Sequence, residues 1–461
     1  MLAWIFFAVS VLGLWFTANA MWPSFRWQLM APSFFAGWLT GELAGINLAF
    51  QILATIAFVA YGALDVWIGY VALAISFVSW AGLVRLIFVS MRSEHIVEGA
   101  LREALGSDYR DEIAPGRAER LATRTSRRKL LFPFYLRDRR VRRIKNIRYA
   151  EGAGKRHLLD VYQPRAQGSD APAEKAPVLL QIHGGAWIIG DKSQQGLPLM
   201  LHLASEGWVC VANNYRLSPK ATFPDHLVDC KQALAWVREH SEEYGGDPDF
   251  IVVTGGSAGG HLAALVGLTA NDPQYQPGFE DADTSVAACV PFYGVYDLVA
   301  EIGTSPADEW LAKKVMKATL DENRELFESG SPTHRVNDQA PPFFVLHGDR
   351  DNIAAVAQAR EFVTTLRAVS KRPVAYAEIE GGFHAFDVFH SIRTGNAVNG
   401  VDRFLAWVYS AYEAALLDQG VDPPDPEVNA PVGPPPVSPP PVGPISVTEA
   451  GEAAAAARGG R

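Results

Sequence analysis

Cysteine is scarce, with only Cys210, Cys230 and Cys289 in 461 residues. The number is odd and no two are closely spaced, so neither a disulfide framework nor a cysteine zinc site can organise the chain. Each lies inside an apolar or helical pattern and reads as a buried thiol. Charge is missing from most of the first ninety residues. Leu2–Phe16 carries none, Ile46–Leu64 has only Asn47 and Gln51 as strongly polar side chains, and Trp67–Val89 holds a single charge, Arg85. With no polar residues interleaved at a helical period, these stretches lack the outer face of a water-soluble helix. Each is close to the length that crosses about 30 Å of hydrocarbon, so three transmembrane spans are expected. The opening Met1–Trp4 has no positive charge, which argues against a cleaved secretory signal despite the Ala18-Asn19-Ala20 triplet. Cleavage there would leave the remainder facing outward.

Aromatic residues are concentrated between the first two spans. Trp22, Phe25, Trp27, Phe34, Phe35 and Trp38 are expected to fill a loop at the membrane–water boundary. Arg26, Arg92 and Arg102 flank the spans on one side, and the short second loop offers only Asp65. The excess of arginine predicts a multi-pass protein of the plasma membrane with the rest of the chain in the cytoplasm.

The formal net charge of −9 conceals a basic segment, since Arg102–Arg148 carries fifteen Lys/Arg against six Asp/Glu. Residues 92–148 read as a basic helical linker after the 1–91 membrane region. Its cluster Arg137–Lys145 suits either anionic lipid head groups or a solvated helix face, and nucleic acid is not expected as a partner. The tail from 418 to 461 is dominated by Pro, Gly, Val and Ala and is expected to be disordered.

From 149 to 417 the texture alternates between short apolar runs and amphipathic stretches. Strands are expected at Leu158–Tyr162, Val178–Ile182, Val209–Asn213, Phe250–Thr254, Ala287–Phe292, Phe343–Leu346 and Val374–Ile379. Helices are expected at Leu197–Glu206, His226–Glu243, Ser257–Thr269, Ile353–Val369 and Asn399–Leu417. This alternation predicts an α/β fold, a mostly parallel sheet flanked by helices, with ligands beyond the carboxyl ends of the strands. Asp191–Pro198 and Glu301–Arg335 are expected to cap that end.

Four short motifs fall at strand ends. Phe250–Gly256 runs into Gly255-Gly-Ser257-Ala-Gly259, a strand-to-helix turn that would push one hydroxyl clear of the sheet. His183-Gly184-Gly185-Ala186-Trp187 follows a strand with two glycines, letting backbone N–H groups converge on one point. Gly184, Gly185, Ala186 and Ala258 are the candidate donors to an oxyanion, with Gly185 and Ala186 favoured in the upstream loop. His347-Gly-Asp349-Arg-Asp351 presents two acids, of which Asp351 is preferred. Gly382-Phe-His384 places a histidine in a glycine-rich loop. A serine hydroxyl becomes nucleophilic when a neutral imidazole takes its proton and a carboxylate holds that imidazole. Ser257, Asp351 and His384 occur in the order expected of such a triad. His183 reads as an orienting residue, and His261, on the same helix as Ser257, points back along it.

These motifs, with Asn214–Pro219 and Tyr244–Asp249, closely resemble the α/β-hydrolase fold esterases and lipases of the hormone-sensitive-lipase-like and feruloyl-esterase-like type, over about 149 to 417. His183–Gly190 and Tyr244–Asp249 are also similar to prenylcysteine methylesterases. The resemblance implies Ser257 as nucleophile, His384 as base, Asp351 as acid and an oxyanion hole at Gly185. Two features depart from it: Ala186 stands where many lipase-like members have a third glycine, and no Asp-Pro-Leu acid motif is present. The expected function is a membrane-anchored serine carboxylesterase acting on a small-molecule or lipid ester, with membrane lipid as a partner and neither metal nor organic cofactor. An amidase or peptidase, an acyltransferase, and a silent membrane-tethered binding module are the alternatives.

Overall fold

Apolar runs bounded by glycine, proline and aspartate become the strands of an eight-stranded sheet in the computed structural model, which describes residues 1–121, 125–165, 175–301 and 306–419. The strands are β1 (Val141–Arg148), β2 (Leu158–Pro164), β3 (Ala176–Ile182), β4 (Val209–Asn213), β5 (Gly246–Gly256), β6 (Ala288–Phe292), β7 (Phe343–Gly348) and β8 (Val374–Ile379). Their order is β1-β2-β4-β3-β5-β6-β7-β8, antiparallel for the β1/β2 and β2/β4 pairs and parallel from there on. Every residue of β3, β4, β6 and β7 is buried, the pattern of strands covered on both faces. Leu227, Leu262 and Phe362 from three helices close one face, and Leu203, Val401 and Phe404 close the other. The last helix begins at Ile392 rather than Asn399, because Ser391 caps it by accepting a hydrogen bond from the Thr394 N–H at 3.0 Å.

The basic stretch expected to be wholly helical supplies β1 instead. Val141, Ile144 and Ile147 are three residues apart, a spacing that imitates a helix face. In the sheet the spacing is absorbed by a bulge: Ile144 pairs with Val161 and Ile147 with Leu159, so three steps on β1 match two on β2. Arg143 and Lys192 then converge on the fully buried Asp160, at 2.9 Å each, which gives part of the basic run a structural partner.

Four long helices open the chain: α1 (Leu2–Met21), α2 (Trp27–Glu42), α3 (Ala44–Ala60) and α4 (Trp67–Leu105). α1 and α4 are long and apolar enough to cross a membrane, and α2 with α3, bent by 87°, would make a third crossing if taken as one span. Their outer faces expose Trp4, Leu12, Phe50, Phe77 and Phe88, while Ser10–Ser76 and Thr17–Ser79 hydroxyl pairs join α1 to α4. α4 runs straight through the expected boundary at residue 91. Val97, Ala100 and Leu101 extend its buried stripe into the core of the α/β region beside Val401, fusing the two regions.

Of the aromatic loop expected between the first two spans, Trp27, Phe34, Phe35 and Trp38 lie instead in helix α2, continuous through Pro32. It packs on the loop that follows β8, where the Trp38 indole donates to Ala385 O, a long-range contact with no local signature. The tail expected to be disordered lies, from residue 420 on, outside the described residues.

Candidate active site

β5 ends at Gly256, and the helix Ala258–Leu268 starts one residue after Ser257. Ser257 takes φ +59° and ψ −125°, a backbone that an L-residue holds only under tertiary constraint. Its N–H donates to Phe292 O at 3.0 Å, fixing the turn to β6. Gly259 must be glycine because a Cβ there would lie 2.1 Å from Ile182 O, where helix and β3 touch. Ser257 is thereby lifted above the sheet and remains half-buried.

His384 Nε2 lies 2.8 Å from Ser257 Oγ, and His384 Nδ1 lies 2.6 Å from Asp351 Oδ2. The other carboxylate oxygen of Asp351 accepts N–H groups from Ile353 and Ala354 at 2.9 and 2.8 Å. Burial alone would raise the Asp351 carboxyl, but His384 and His347 outweigh it and hold the group well below the usual carboxylate range. Asp349 is occupied elsewhere: it accepts the Gly381 N–H at 2.6 Å and ties the end of β7 to the loop carrying His384.

Of the upstream oxyanion candidates, Gly184 has its N–H engaged elsewhere. Its N–H donates to Gln195 Oε1 at 2.7 Å, which turns that amide away. Among the described residues no acceptor is found for the N–H groups of Gly185, Ala186 or Ala258. Gly185 sits at φ +121° and Ala186 at +51°, a left-handed bend closed by Ile188 and Ile189 N–H groups donating to Gly185 O, each at 3.0 Å. His183 orients this loop, stacked on Tyr215 at 4.4 Å, with the Tyr215 hydroxyl donating to His183 O. His261 is also structural, accepting the Trp187 indole N–H on Nδ1 at 3.3 Å and donating from Nε2 to Gly330 O at 2.7 Å.

Several residues at the site went unread in the sequence. Tyr293, at the end of β6, packs 4.8 Å from the His384 ring and donates its hydroxyl to Asp387 Oδ1. Burial pushes the Asp387 carboxyl up. From α2, Phe34 meets His384 edge-on at 6.3 Å, and the Trp38 indole donates to Ala385 O at 3.0 Å. Glu42, at the end of α2, forms a wholly buried ion pair with Arg393 and accepts from the Ser391 hydroxyl at 2.7 Å. Arg393 also donates to Glu380 O, so α2 braces both ends of the loop that presents His384. Arg350 and Asn352, flanking Asp351, donate to Ala20 O and Ser24 O of the N-terminal region at 2.6 and 3.0 Å.

The sequence has relatives among known proteins. The BD-FAE family matches residues 159–366. Esterase LipQ of Mycobacterium tuberculosis is 43% identical over 325 residues, covering 70% of this chain and 76% of LipQ. The chain belongs to the α/β-hydrolase esterases. The probable carboxylic ester hydrolase LipM of the same organism is 54% identical over 241 residues, covering 52% of this chain and 56% of LipM, so the likeness to LipM spans little more than half of that protein. Esterase B of Lactobacillus rhamnosis shares the fold, with a TM-score of 0.50 over 61% of this chain and 91% of its own at 20% identity.

Buried histidines make this esterase fold sensitive to acid. Burial pushes His183, His226 and His261 down to about 4. The unfolded chain takes up these protons near pH 6.5, so between about 6.5 and 4 these three sites bind more protons in the unfolded chain than in the folded one. The contribution of these three imidazoles to stability is therefore complete above about 6.5 and is lost as the pH falls toward 4. A melting series from neutral pH downward should show a steady decline across that window; a flat profile would contradict neutral burial of these imidazoles.

Proposed function

We propose that the chain is a membrane-anchored serine carboxylesterase that hydrolyses acyl esters through an acyl-enzyme on Ser257. The observation that carries this reading is the unbroken contact from Ser257 Oγ to His384 Nε2 to Asp351, at 2.8 and 2.6 Å. In the first half-reaction Oγ bonds to the ester carbonyl carbon while its proton passes to Nε2, and Asp351 stabilises the imidazolium. The carbonyl oxygen becomes an oxyanion facing the N–H groups of Gly185, Ala186 and Ala258. The C–O bond to the alcohol then breaks, and Nε2 returns the proton to the departing alkoxide. Water then gives a proton to the same imidazole and bonds to the acyl carbon; the carbon–Oγ bond breaks, and Nε2 returns the proton to Oγ, leaving the acid and the free serine.

A fluorophosphonate probe tests the assignment directly. It should phosphonylate Ser257 in the wild-type protein, located by peptide mass spectrometry, and leave Ser257→Ala unmodified. A native protein that stays unlabelled, or is labelled elsewhere, would overturn it.

Gly185→Ala tests the oxyanion loop. An added Cβ would sit 2.3 Å from Ile189 O on a backbone at φ +121°. The bend must open, and kcat is expected to fall by about 10²- to 10³-fold with a small change in KM. Unchanged kcat would exclude this loop from the oxyanion hole.

Membrane anchoring is supported by the apolar outer faces of α1 and α4 and by their direct continuity with the catalytic end. Arg26 precedes α2 and Arg92 pairs with Glu380 of the hydrolase region, so both belong to the side on which the catalytic domain stands. That distribution favours a cytoplasmic active site.

A further inference from the structure

A line of aromatic rings runs from the candidate base to the protein surface. Phe34 meets His384 edge-on and stacks on Trp38 at 5.4 Å; Trp38 packs on Phe389 at 5.1 Å, and Phe389 on Phe134 at 4.9 Å. Two hydrogen bonds pin this wall to the catalytic loop: the Trp38 indole to Ala385 O, and the His390 N–H to Pro133 O at 3.1 Å. The outer end is the segment Leu131–Tyr135, where Leu131, Phe132, Phe134 and Tyr135 are 69, 61, 63 and 50% exposed. Four large apolar side chains within five residues, all open to solvent, mark an interaction surface.

The charge around this cluster narrows the partner. Arg127, Arg128, Arg137 and Arg139 are exposed and have no carboxylate partner among the described residues. The Arg128 guanidinium lies 5.9 Å over the Tyr135 ring. Aromatic side chains ringed by arginine match the boundary between acyl chains and anionic head groups. The wall also continues into α2, whose neighbours α1 and α4 expose apolar faces of their own.

We propose that Leu131–Tyr135 with its four arginines docks on the surface of an anionic bilayer, and that the wall from Phe134 to Phe34 leads a bilayer-resident ester to Ser257. The substrate class is then an amphiphilic lipid ester drawn from the membrane rather than from solution. The second half of the proposal rests on the esterase reading; the docking half does not.

The test uses the full-length protein reconstituted in phosphatidylcholine vesicles with or without phosphatidylglycerol. The native cysteines are all buried, so a nitrobenzoxadiazole dye can be placed at Phe132→Cys and, as a solvent reference, at Gln339→Cys. In the anionic vesicles the dye at 132 should shift to the blue and be quenched by spin-labelled lipid, while the dye at 339 should do neither. In the same vesicles Arg127→Gln/Arg128→Gln should raise KM for 4-methylumbelliferyl oleate by about tenfold and leave hydrolysis of dissolved p-nitrophenyl acetate unchanged. A dye at 132 as wet as the dye at 339, or a KM that the arginine substitutions do not move, would overturn the proposal. The dye needs no turnover, so an inactive protein with a lipid-exposed residue 132 would reject only the esterase reading.

Discussion

Ser257→Ala should lower kcat for p-nitrophenyl butyrate by about 10⁴- to 10⁶-fold while the protein melts at the wild-type temperature. The rate falls because the substitution removes the hydroxyl that His384 Nε2 meets in the structure, Ser257 Oγ at 2.8 Å. The remaining acceleration over water would come from the oxyanion donors and from binding alone. Stability is preserved because alanine keeps the Cβ, adds nothing to the strain at φ +59°, and removes only a half-buried hydroxyl. Initial rates and a thermal melt on the same preparation separate these effects. Turnover within tenfold of wild type would remove Ser257 from the mechanism.

Asp351→Asn should be nearly as damaging, with a loss of about 10⁴-fold in kcat. In the proposed mechanism the carboxylate, 2.6 Å from Nδ1, holds a proton there and leaves Nε2 free to accept the serine proton. An asparagine can turn its amide N–H₂ toward Nδ1 while its oxygen keeps the Ile353 and Ala354 N–H bonds. The imidazole then carries its proton on Nε2 and cannot act as a base toward Ser257. The isosteric change leaves packing intact, so KM should move little. Asp349→Asn is the matched control: its carboxylate accepts from Gly381 N–H, 2.6 Å away, and does not meet His384. If Asp349→Asn costs more than Asp351→Asn, the acid has been misassigned.

The seven strands expected from 149 to 417 all form, because each is a dense apolar run ended by a turn residue, and burial on both faces leaves no alternation to confuse with a helix. β1 was illegible for the opposite reason. Its apolar residues recur every third position, and only the bulge opposite β2 turns that spacing into a strand. The three residues of the candidate triad were readable because each closes a short glycine-bearing motif at a strand end. The competing acids Asp349 and Asp351 differ by two positions, and what separates them in space is that the first turns to Gly381 and the second to His384.

Sequence by itself determined the α/β alternation, the order Ser257, Asp351, His384, and the presence of long apolar stretches ahead of them. These follow from local periodicity and composition, which the chain carries residue by residue. Only the tertiary structure decided that Gln195 engages the Gly184 N–H, that Tyr293 and Asp387 sit against His384, and that the N-terminal helices are part of the site. Phe34 and Glu42 meet residues some three hundred and fifty positions later in the chain, His384 and Arg393. Contacts of that kind arise from shape and burial after the chain has closed on itself, so no neighbouring residue announces them.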